Sequence, residues 1–413
     1  MAGRSDYLVI GSGAGGSALT HRLAAAGATV TVLERGERLP ADGSTQDVGA
    51  VFGEGRFRSG EAWQDGAGQR RVPEEYFNLG GKTQWYGAAL LRFAPAEFAA
   101  DGALSAPAWP FGPDGLERYY DQAEALLGLH RFPVEPDLRR LLDGLHRQDP
   151  AWRERPMPLG LDPAILDHPH EARHFDGFAS TAGLKADAQR RVWDPLAGEG
   201  TITVHTGARV TALLPGSDPR TLAGAETADG RRFEADRVVL AAGALHTPRL
   251  LQGYLDGPGS PAWWNGADAV GRYLKLHLNA PVLVVGGRRV HDPLRKTALL
   301  EHPTFPRSSV QNLGWVDGEL LAHQLPGWLP RPLIEAVGRR AYGFWVTTED
   351  GSHPDNRVLP GDGTAPPRLD YDPTRIPVAE AEHQRLLRTL RRQFAGQGLV
   401  AFPRHYFIEP AEQ

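Results

Sequence analysis

Residues 6–35 constrain the fold more than any other part of this 413-residue chain. They begin with a short apolar run at residues 8–10, which predicts a strand buried on both faces. Small and apolar residues then recur at helical spacing as far as Gly27, where a glycine favours a helix stop. A second apolar strand follows and ends before Glu34. Strand, turn, helix and strand in this order predict a parallel α/β sheet.

The turn between the first strand and the helix matches G-x-G-x-x-G, and each glycine has a mechanical reason. Gly11 permits the tight turn, Gly13 lets the backbone approach a pyrophosphate, and Gly16 lets helix and strand pack closely. With Ser12 and Ala14 they form a predicted pyrophosphate site at the positive end of the helix. A glycine-rich turn that binds nothing is the alternative, but the strand–turn–helix–strand context favours a dinucleotide.

Glu34 closes the second strand, where its carboxylate can accept hydrogen bonds from the ribose hydroxyls of an adenosine. An acid at this position disfavours a 2′-phosphate, so FAD or NAD is preferred to NADP. The next residue, Arg35, is also assigned to the predicted cofactor site.

Composition excludes several other classes of protein. The formal net charge of −5 gives no support for binding to nucleic acid or to an anionic membrane. The absence of cysteine excludes disulfides, thiolate catalysis and cysteine-ligated metal centres. No apolar run reaches transmembrane length, and the first strand begins near Asp6. We therefore expect a cytoplasmic protein with no signal peptide and no membrane span.

A second glycine-rich segment occupies residues 78–93, where paired glycines precede hydroxyl, amide and aromatic side chains. A backbone of this kind can lie against a flat ligand. This segment and the N-terminal unit resemble the FAD-contacting segments of the glucose–methanol–choline (GMC) oxidoreductases. The resemblance implies FAD contacts at Gly80, Gly81, Lys82, Thr83, Trp85 and Ala88.

The attachment of the flavin is one point of difference from part of that family. In pyranose oxidases a histidine of this segment binds the flavin covalently, whereas the matching position here is Gln84. Glutamine cannot form that bond, so the resemblance implies non-covalent FAD.

Residues 109–128 are similar to the sugar-oxidising branch of the family, which includes pyranose oxidase and gluconate dehydrogenase. They combine a Trp-Pro pair with a Leu-x-x-Tyr-Tyr-x-x-Ala-Glu segment. The same segment predicts an amphipathic helix. The residues on one face of that helix would be Leu116, Tyr119, Tyr120, Ala123 and Leu127.

Residues 201–243 predict the return of the chain to the dinucleotide domain. Two strands about a turn at residues 201–214 precede an apolar strand that ends at Ala242 and Gly243. The resemblance implies that the backbone of Val210 contacts the adenine and that Ala242 and Gly243 pass beneath the cofactor.

The pattern of residue types changes at residue 280. Residues 280–285, 308–315 and 341–348 mix apolar residues with amides and aromatics, which predicts antiparallel strands. One face of that sheet suits a pocket for a polar ligand, although a plain core sheet explains the pattern equally well. A helix is predicted over residues 379–394.

These elements predict a mixed α/β protein, α+β overall, with two domains. A Rossmann-like FAD-binding domain with a parallel sheet takes residues 1–35, 78–95 and 200–278. Residues 36–77 and 96–199 are predicted excursions that include a helical cap. Residues 279–413 are predicted to form a substrate domain on a mostly antiparallel sheet with helices.

Three histidines close in sequence, His168, His170 and His174, raise the possibility of a metal site. A metal site needs convergent geometry, and the flanking prolines favour an ordinary loop. We predict no metal.

The resemblance also implies a C-terminal catalytic histidine in a His … Gly-Thr pattern, then a last strand and helix that return to the FAD domain. Neither occurs here, so the family histidine would lie beyond Gln413 and the catalytic residue is unassigned. His246, His353 and His405 are better explained as structural or surface residues. We expect a truncated or split family member with exposed apolar surface, in which a second chain could supply the missing segment.

The favoured function is oxidation of a CH–OH group of a sugar, polyol or alcohol by hydride transfer to FAD, with the electron acceptor left open. The alternative is a catalytically incomplete FAD-binding protein. A third possibility is an NAD-dependent dehydrogenase, against which the return strands and the Gly80–Gly81 segment argue.

Overall fold

The computed structural model describes residues 4–218, 220–257, 266–361 and 366–403. His405 therefore lies outside the described residues. The strands are β1 (Ser5–Ile10), β2 (Val30–Leu33), β3 (Trp63–Asp65), β4 (Arg70–Arg71), β5 (His130–Arg131), β6 (Arg153–Pro156), β7 (Pro158–Leu159), β8 (Ile202–His205), β9 (Val210–Pro215), β10 (Leu222–Thr227), β11 (Arg232–Leu240), β12 (Leu278–Val285), β13 (Ala298–His302), β14 (Phe305–Asn312), β15 (Ala341–Thr348), β16 (Arg357–Leu359), β17 (Arg368–Asp370) and β18 (Val400–Pro403). The α-helices are α1 (Ala14–Ala25), α2 (Glu117–Leu127), α3 (Pro136–Gln148), α4 (Pro169–Arg173), α5 (Asp194–Leu196), α6 (Gly243–Leu255), α7 (Gly318–Gln324), α8 (Arg331–Gly338) and α9 (Pro377–Ala395).

A six-stranded sheet in the order β8-β2-β1-β11-β10-β9 carries the glycine-rich turn. Its first four strands are parallel, and Val9 in β1 pairs with Val32 on one side and Val239 on the other. Strands β9 and β10 form an antiparallel hairpin that leads into β11. Leu8 and Val9 have no exposed surface, as expected for a strand covered on both faces. The predicted parallel sheet is confirmed. The two strands predicted about a turn at residues 201–214 occur as β8 and β9, but β8 pairs with β2 and β9 pairs with β10, so they do not form a hairpin with each other.

A second six-stranded sheet, in the order β18-β12-β15-β14-β13-β6, is antiparallel throughout. Helices α3 and α9 cover one face, and the core between them includes Val282, Phe344, Leu386 and Leu390. The predicted strands and the predicted C-terminal helix are confirmed as β12, β14, β15 and α9. The sheet also takes up β6, which comes from the predicted excursion at residues 96–199.

A smaller four-stranded sheet, in the order β16-β17-β3-β4, combines two strands from the N-terminal part of the chain with two from the C-terminal part. Strand β3 lies in the predicted excursion at residues 36–77, and it pairs in parallel with β17 near the C-terminal end. Trp63 at the start of β3 is completely buried. Residues 36–77 therefore contribute a strand and a buried side chain to the fold and do not form only a surface loop.

The predicted helix is confirmed as α2, and its apolar face lies near the surface of the protein. None of its residues is buried, and the side chain of Tyr119 is 49% exposed. Arg92 bonds Glu124 at 2.6 Å and Asp121 at 2.7 Å at the surface, and Leu126 on another face of the helix packs against the core cluster that contains Val9 and Val32. Apolar periodicity indicates a helix, but it does not say which neighbour covers it.

Strand β11 has an edge that is only partly used. Strand β10 pairs with it at residues 232–234, whereas β1 occupies the opposite edge from Ser5 to Ile10. Within the described ranges, no strand pairs with the β10 side of residues 236–240. Val238, Val239 and Leu240 are accordingly half-buried, although they belong to a parallel sheet.

Candidate cofactor site

A cavity of about 820 Å³ opens where β1 and β2 end. In open α/β sheets, ligands bind at the carboxyl ends of the strands, and this volume is within the usual range for a small-molecule site. The predicted cofactor residues that line it are Gly11, Ser12, Gly13, Ala14, Glu34, Arg35, Gly81, Lys82, Thr83, Val210, Ala242 and Gly243. Segments far apart in sequence therefore meet around one cavity.

The glycines of the turn have the geometry that a pyrophosphate site needs. Gly11 has a φ of +104°, and a Cβ there would lie 2.4 Å from the carbonyl oxygen of Ala241. A Cβ on Gly16 would lie 2.0 Å from the carbonyl oxygen of Gly11, so this glycine is what lets α1 pack on the turn. A Cβ on Gly13 would meet nothing within 4 Å. The backbone at Gly13 thus borders open space at the start of α1, where an anion is favoured.

Ser12 and Glu34 join the turn to the neighbouring segments. The backbone N–H of Ser12 donates to Glu34 Oε2 at 3.0 Å, and the Ser12 hydroxyl donates to the same oxygen. The N–H of Gly36 donates to Glu34 Oε1 at 2.8 Å, and the N–H of Gly80 donates to Ser12 Oγ at 2.9 Å. Burial raises the pKa of Glu34, and these hydrogen bonds oppose the rise. Oε2 already accepts two of these bonds, so the remaining acceptor capacity for a ribose hydroxyl is at Oε1.

Four predicted cofactor residues, Gly16, Gly80, Trp85 and Ala88, do not line the cavity. Gly80 donates to the Ser12 hydroxyl, and Gly16 packs against the backbone of Gly11, so both contact the turn outside the cavity. Trp85 stacks on Tyr76 with ring centroids 4.7 Å apart and donates to the side chain of Asn78. Ala88 is completely buried with a φ of +59°. Their direct contact with a cofactor stays a prediction.

Gln84, which the resemblance matches to the covalent histidine of pyranose oxidases, bonds to other protein groups. Its Nε2 donates to the carbonyl of Leu79 at 2.7 Å and to Oε1 of Gln189 at 3.1 Å. The side chain is 5% exposed. Gln84 thus fixes the turn at Leu79 and offers no nucleophile to the cavity.

A charged cluster that the sequence did not predict lines the same cavity. Glu61 Oε2 accepts from Arg35 at 2.8 Å, and Glu61 Oε1 accepts from Arg249 at 2.9 Å. Arg249 also donates to Nδ1 of His246 at 3.2 Å, and Nε2 of His246 lies 3.0 Å from Glu75. We call these five residues the Glu61 cluster. Of these five residues the sequence marks only Arg35 as a cofactor-site residue, and residues 36–77, which contain Glu61 and Glu75, show no clear period.

Lowering the pH should weaken the Glu61 cluster. Burial favours the neutral acid, but the bonds and charges of Arg35 and Arg249 outweigh burial and lower the pKa of Glu61 to about 2. The ion pairs therefore contribute fully above the unfolded value of 4.5 and are lost as the pH falls towards 2. After solvent screening, we expect wild type to lose about 1 kcal/mol more unfolding free energy than Glu61→Gln over this interval.

Urea unfolding at several pH values measures that difference. Glu226→Gln serves as the control, because Glu226 forms an ion pair with Arg232 at 2.6 Å on the surface and does not line the cavity. Equal losses in wild type and Glu61→Gln would contradict the expected result.

The same cluster supplies the group of potential metal ligands found among the described residues. Ligand atoms of Glu61, Glu75 and His246 lie within 4.8 Å of one another. Both oxygens of Glu61 already accept from arginines, however, and Nδ1 of His246 accepts from Arg249. This arrangement resembles a salt-bridge network more than a cation site. His170 and His174 stack edge to face at 4.5 Å, and they are not part of that group.

The face of the second sheet that α3 and α9 leave uncovered carries polar and aromatic side chains. Gln311 pairs with Trp345 across β14 and β15, and Thr347 donates to Asn279 Oδ1 at 3.0 Å. These side chains are half-buried or buried, and they do not line the cavity around the glycine-rich turn. The predicted pocket for a polar ligand on this face stays a prediction.

Among the described helices, none has the length and apolar character needed to cross a membrane.

The comparisons with known proteins agree with a cofactor-binding role for the cavity. Residues 6–262 match the profile of the family described as FAD dependent oxidoreductase, DAO. Paromamine 6′-oxidase of Streptomyces fradiae is 30% identical over 300 residues, which cover 66% of this chain and 54% of that protein. The 2-methyl-1,2-propanediol dehydrogenase of Mycolicibacterium austroafricanum is 28% identical over 321 residues, covering 67% and 56%. This chain therefore spans about half the length of these two relatives.

Two further comparisons cover more of the chain. The 6‴-hydroxyparomomycin C oxidase of Streptomyces lividus is 26% identical over 432 residues, which cover 93% of this chain and 77% of that protein. The crystal structure of pyridoxine 4-oxidase from Mesorbium loti superposes with a TM-score of 0.62 at 19% identity, covering 95% of this chain and 80% of the other. At that identity the superposition establishes the fold alone. The profile match over more than half of the sequence establishes the family: this chain belongs to the FAD dependent oxidoreductases, and FAD is its cofactor.

Proposed function

We propose that this chain binds FAD non-covalently and takes part in oxidising a CH–OH group of a sugar, polyol or alcohol. The cavity that joins the glycine-rich turn, Gly81, Val210 and Gly243 is the observation that carries the proposal. Bound FAD would supply the redox chemistry by accepting a hydride from the carbon that bears the hydroxyl. The residues of this chain would bind and orient the cofactor.

The placement of the cofactor follows from the donors around the cavity. The open backbone at Gly13 and the start of α1 would hold the pyrophosphate, and Glu34 would accept from the ribose. The adenine would lie against Val210. The Gly81–Thr83 segment would border the part of the cavity that holds the flavin half of FAD. Because Gln84 replaces the covalent histidine and bonds to protein groups, the flavin would be held by non-covalent contacts alone.

Membership of the GMC group and its sugar-oxidising branch is part of the same proposal. Relatives whose names specify aminoglycoside oxidation or a diol dehydrogenase support a hydroxyl-bearing substrate. The polar and aromatic face with Gln311, Trp345 and Thr347 suits such a ligand, because tryptophan rings can stack on sugars while amides and hydroxyls bond their oxygens. The substrate within this class and the electron acceptor are open.

The proton acceptor for the substrate hydroxyl is proposed to come from outside the residues described above. Among the described residues that line the cavity, His246 is the one histidine, and both of its ring nitrogens are engaged with Arg249 and Glu75. A base must be free to reach the hydroxyl proton. The open edge of β11 at residues 236–240 supports an additional strand, from the same or a second polypeptide, that would complete this sheet.

A second candidate function is FAD binding without catalysis. The engaged ring of His246 favours it, since the cavity then holds a cofactor but no histidine base among its described residues. The two candidates predict the same spectrum for the purified protein and differ in what a substrate does to that spectrum.

One set of measurements separates these functions. We expect the purified chain to show flavin absorption bands, and acid precipitation should leave the flavin in the supernatant. Anaerobic addition of sugars, diols or aminoglycosides should bleach the bands if the chain is a working oxidoreductase. Flavin that binds and is never bleached would favour the second candidate. A protein that gains no flavin bands with added FAD would refute both, and flavin that stays in the acid pellet would refute non-covalent binding.

A further inference from the structure

The Glu61 cluster stands beside the residue that is expected to recognise the ribose. Arg35 directly follows Glu34, and both side chains line the cavity. The guanidinium carbon of Arg35 lies 3.8 Å from the centroid of the Phe77 ring, so the group lies over that ring. Its Nη1 donates to Glu61 Oε2 at 2.8 Å. The cation at this end of the cavity is therefore fixed by a ring and by a carboxylate.

A second cation reaches the same carboxylate from the other side. Arg249 of α6 donates to Glu61 Oε1 at 2.9 Å, and its side chain, like that of Glu61, lines the cavity. The side-chain exposures of Arg249 and Glu61 are 23% and 17%, so water screens this contact only in part. Glu61 is thus the shared counter-charge of two guanidinium groups. Glu75 is a second carboxylate in the cluster, and it is linked to Arg249 through the ring of His246.

Arginine beside the ribose-binding acid has a known chemical meaning. In dinucleotide sites that accept a 2′-phosphate, an arginine near this position pairs with the phosphate. Guanidinium groups bind phosphate through paired, charge-assisted hydrogen bonds. Arg35 and Arg249 would be suited to that task, but Nη1 of each already donates to Glu61, whose negative charge offsets theirs. Glu34 does not balance the charges of the two arginines as Glu61 does, because its carboxylate oxygens accept from Ser12 and Gly36.

We propose that Glu61 is a specificity-determining residue, which makes this cavity select adenosine nucleotides with an unmodified 2′-hydroxyl over 2′-phosphorylated ones. The carboxylate occupies donors of Arg35 and Arg249 and repels a phosphate that approaches them. This inference rests on the proposed function, since it takes the cavity to be the adenosine site of FAD. It extends that function to a residue which sequence motifs do not mark.

The test uses the FAD-loaded full chain and two competing probes, ADP-ribose and 2′-phospho-ADP-ribose. Each probe displaces FAD from the protein, and the rise in free flavin fluorescence gives its affinity. For wild type we expect ADP-ribose to compete better. For Glu61→Gln, which keeps the shape of the side chain, we expect the ratio of the two affinities to shift about tenfold towards the phosphorylated probe. The double variant Glu61→Gln with Arg35→Gln should lose most of that shift.

Glu226→Gln is the matched control, because it also removes one carboxylate from an arginine pair and lies away from the cavity. It should leave the ratio unchanged. A Glu61→Gln protein in which both probes weaken by the same factor would overturn the inference, since a purely structural role moves both alike. An unchanged ratio would overturn it as well. A wild-type chain that binds neither FAD nor ADP-ribose would overturn the proposed function itself.

Discussion

Gly16→Ala should lower the free energy of unfolding by about 3 kcal/mol and abolish FAD binding. The added Cβ would lie 2.0 Å from the carbonyl oxygen of Gly11, 3.1 Å from its carbonyl carbon and 3.4 Å from Cγ1 of Val9. Two of these atoms belong to the backbone of the turn, so no side-chain rotation can relieve the clash. Either α1 moves away from β1 or the turn deforms, and both change the surface against which the pyrophosphate would lie.

Urea unfolding and FAD titration measure the two effects of Gly16→Ala together. Gly15→Ala is the matched control, because a Cβ there meets nothing within 4 Å and alanine favours the helix. We expect Gly15→Ala to unfold no more easily than wild type. If Gly16→Ala were as stable as Gly15→Ala, the close packing of α1 on the turn would not be a feature of the folded protein.

The second large effect is expected at Lys185, a completely buried amine with no role assigned by any motif. Its Nζ donates to the carbonyls of Tyr86 at 2.8 Å, of Phe175 at 2.7 Å and of Phe178. Burial lowers the pKa of Lys185 to about 7, which means that a charge here is costly and that the three bonds offset the cost. The amine ties the end of the Gly80–Gly81 segment to the loop before residue 180.

Lys185→Met should therefore lower the unfolding free energy by about 3 kcal/mol. Methionine removes the buried charge and its cost, but it leaves three buried carbonyls without their donor. Arg232→Met, at a side chain that is 69% exposed, provides the comparison and should change stability little. Thermal unfolding checks both variants. A Lys185→Met protein with wild-type stability would indicate that the three carbonyls find other donors, such as water.

Elements whose signal is local could be predicted from the sequence. Strand β1, helix α1 and strand β2 follow from an apolar run, a helical period and glycines whose roles depend on neighbours within a few residues. Helix α9 was equally accessible, because its apolar face repeats over five turns. The predicted cofactor residues that line the cavity lie at the ends of such elements or on the Gly81–Thr83 segment, and their contact with FAD stays a prediction.

Contacts between distant residues could not be predicted in this way. Glu61 and Arg249 are 188 residues apart, and nothing near Glu61 marks it as the partner of two arginines. The exposed setting of α2 escaped prediction for the same reason, since its period does not reveal that Arg92 pairs with it at the surface. Trp85 and Ala88 are assigned to the cofactor by their segment alone, and their packing against Tyr76 and in the core is likewise not visible in the sequence.

The pairing of β1 with β11 has a consequence for synthesis on the ribosome. Tyr7 is made early, but its partner Arg237 emerges more than two hundred residues later. At cellular elongation rates the first strand waits roughly 10–50 s for that neighbour. Until then the glycine-rich turn has no Ala241 beside it, so the cavity stays incomplete during this interval.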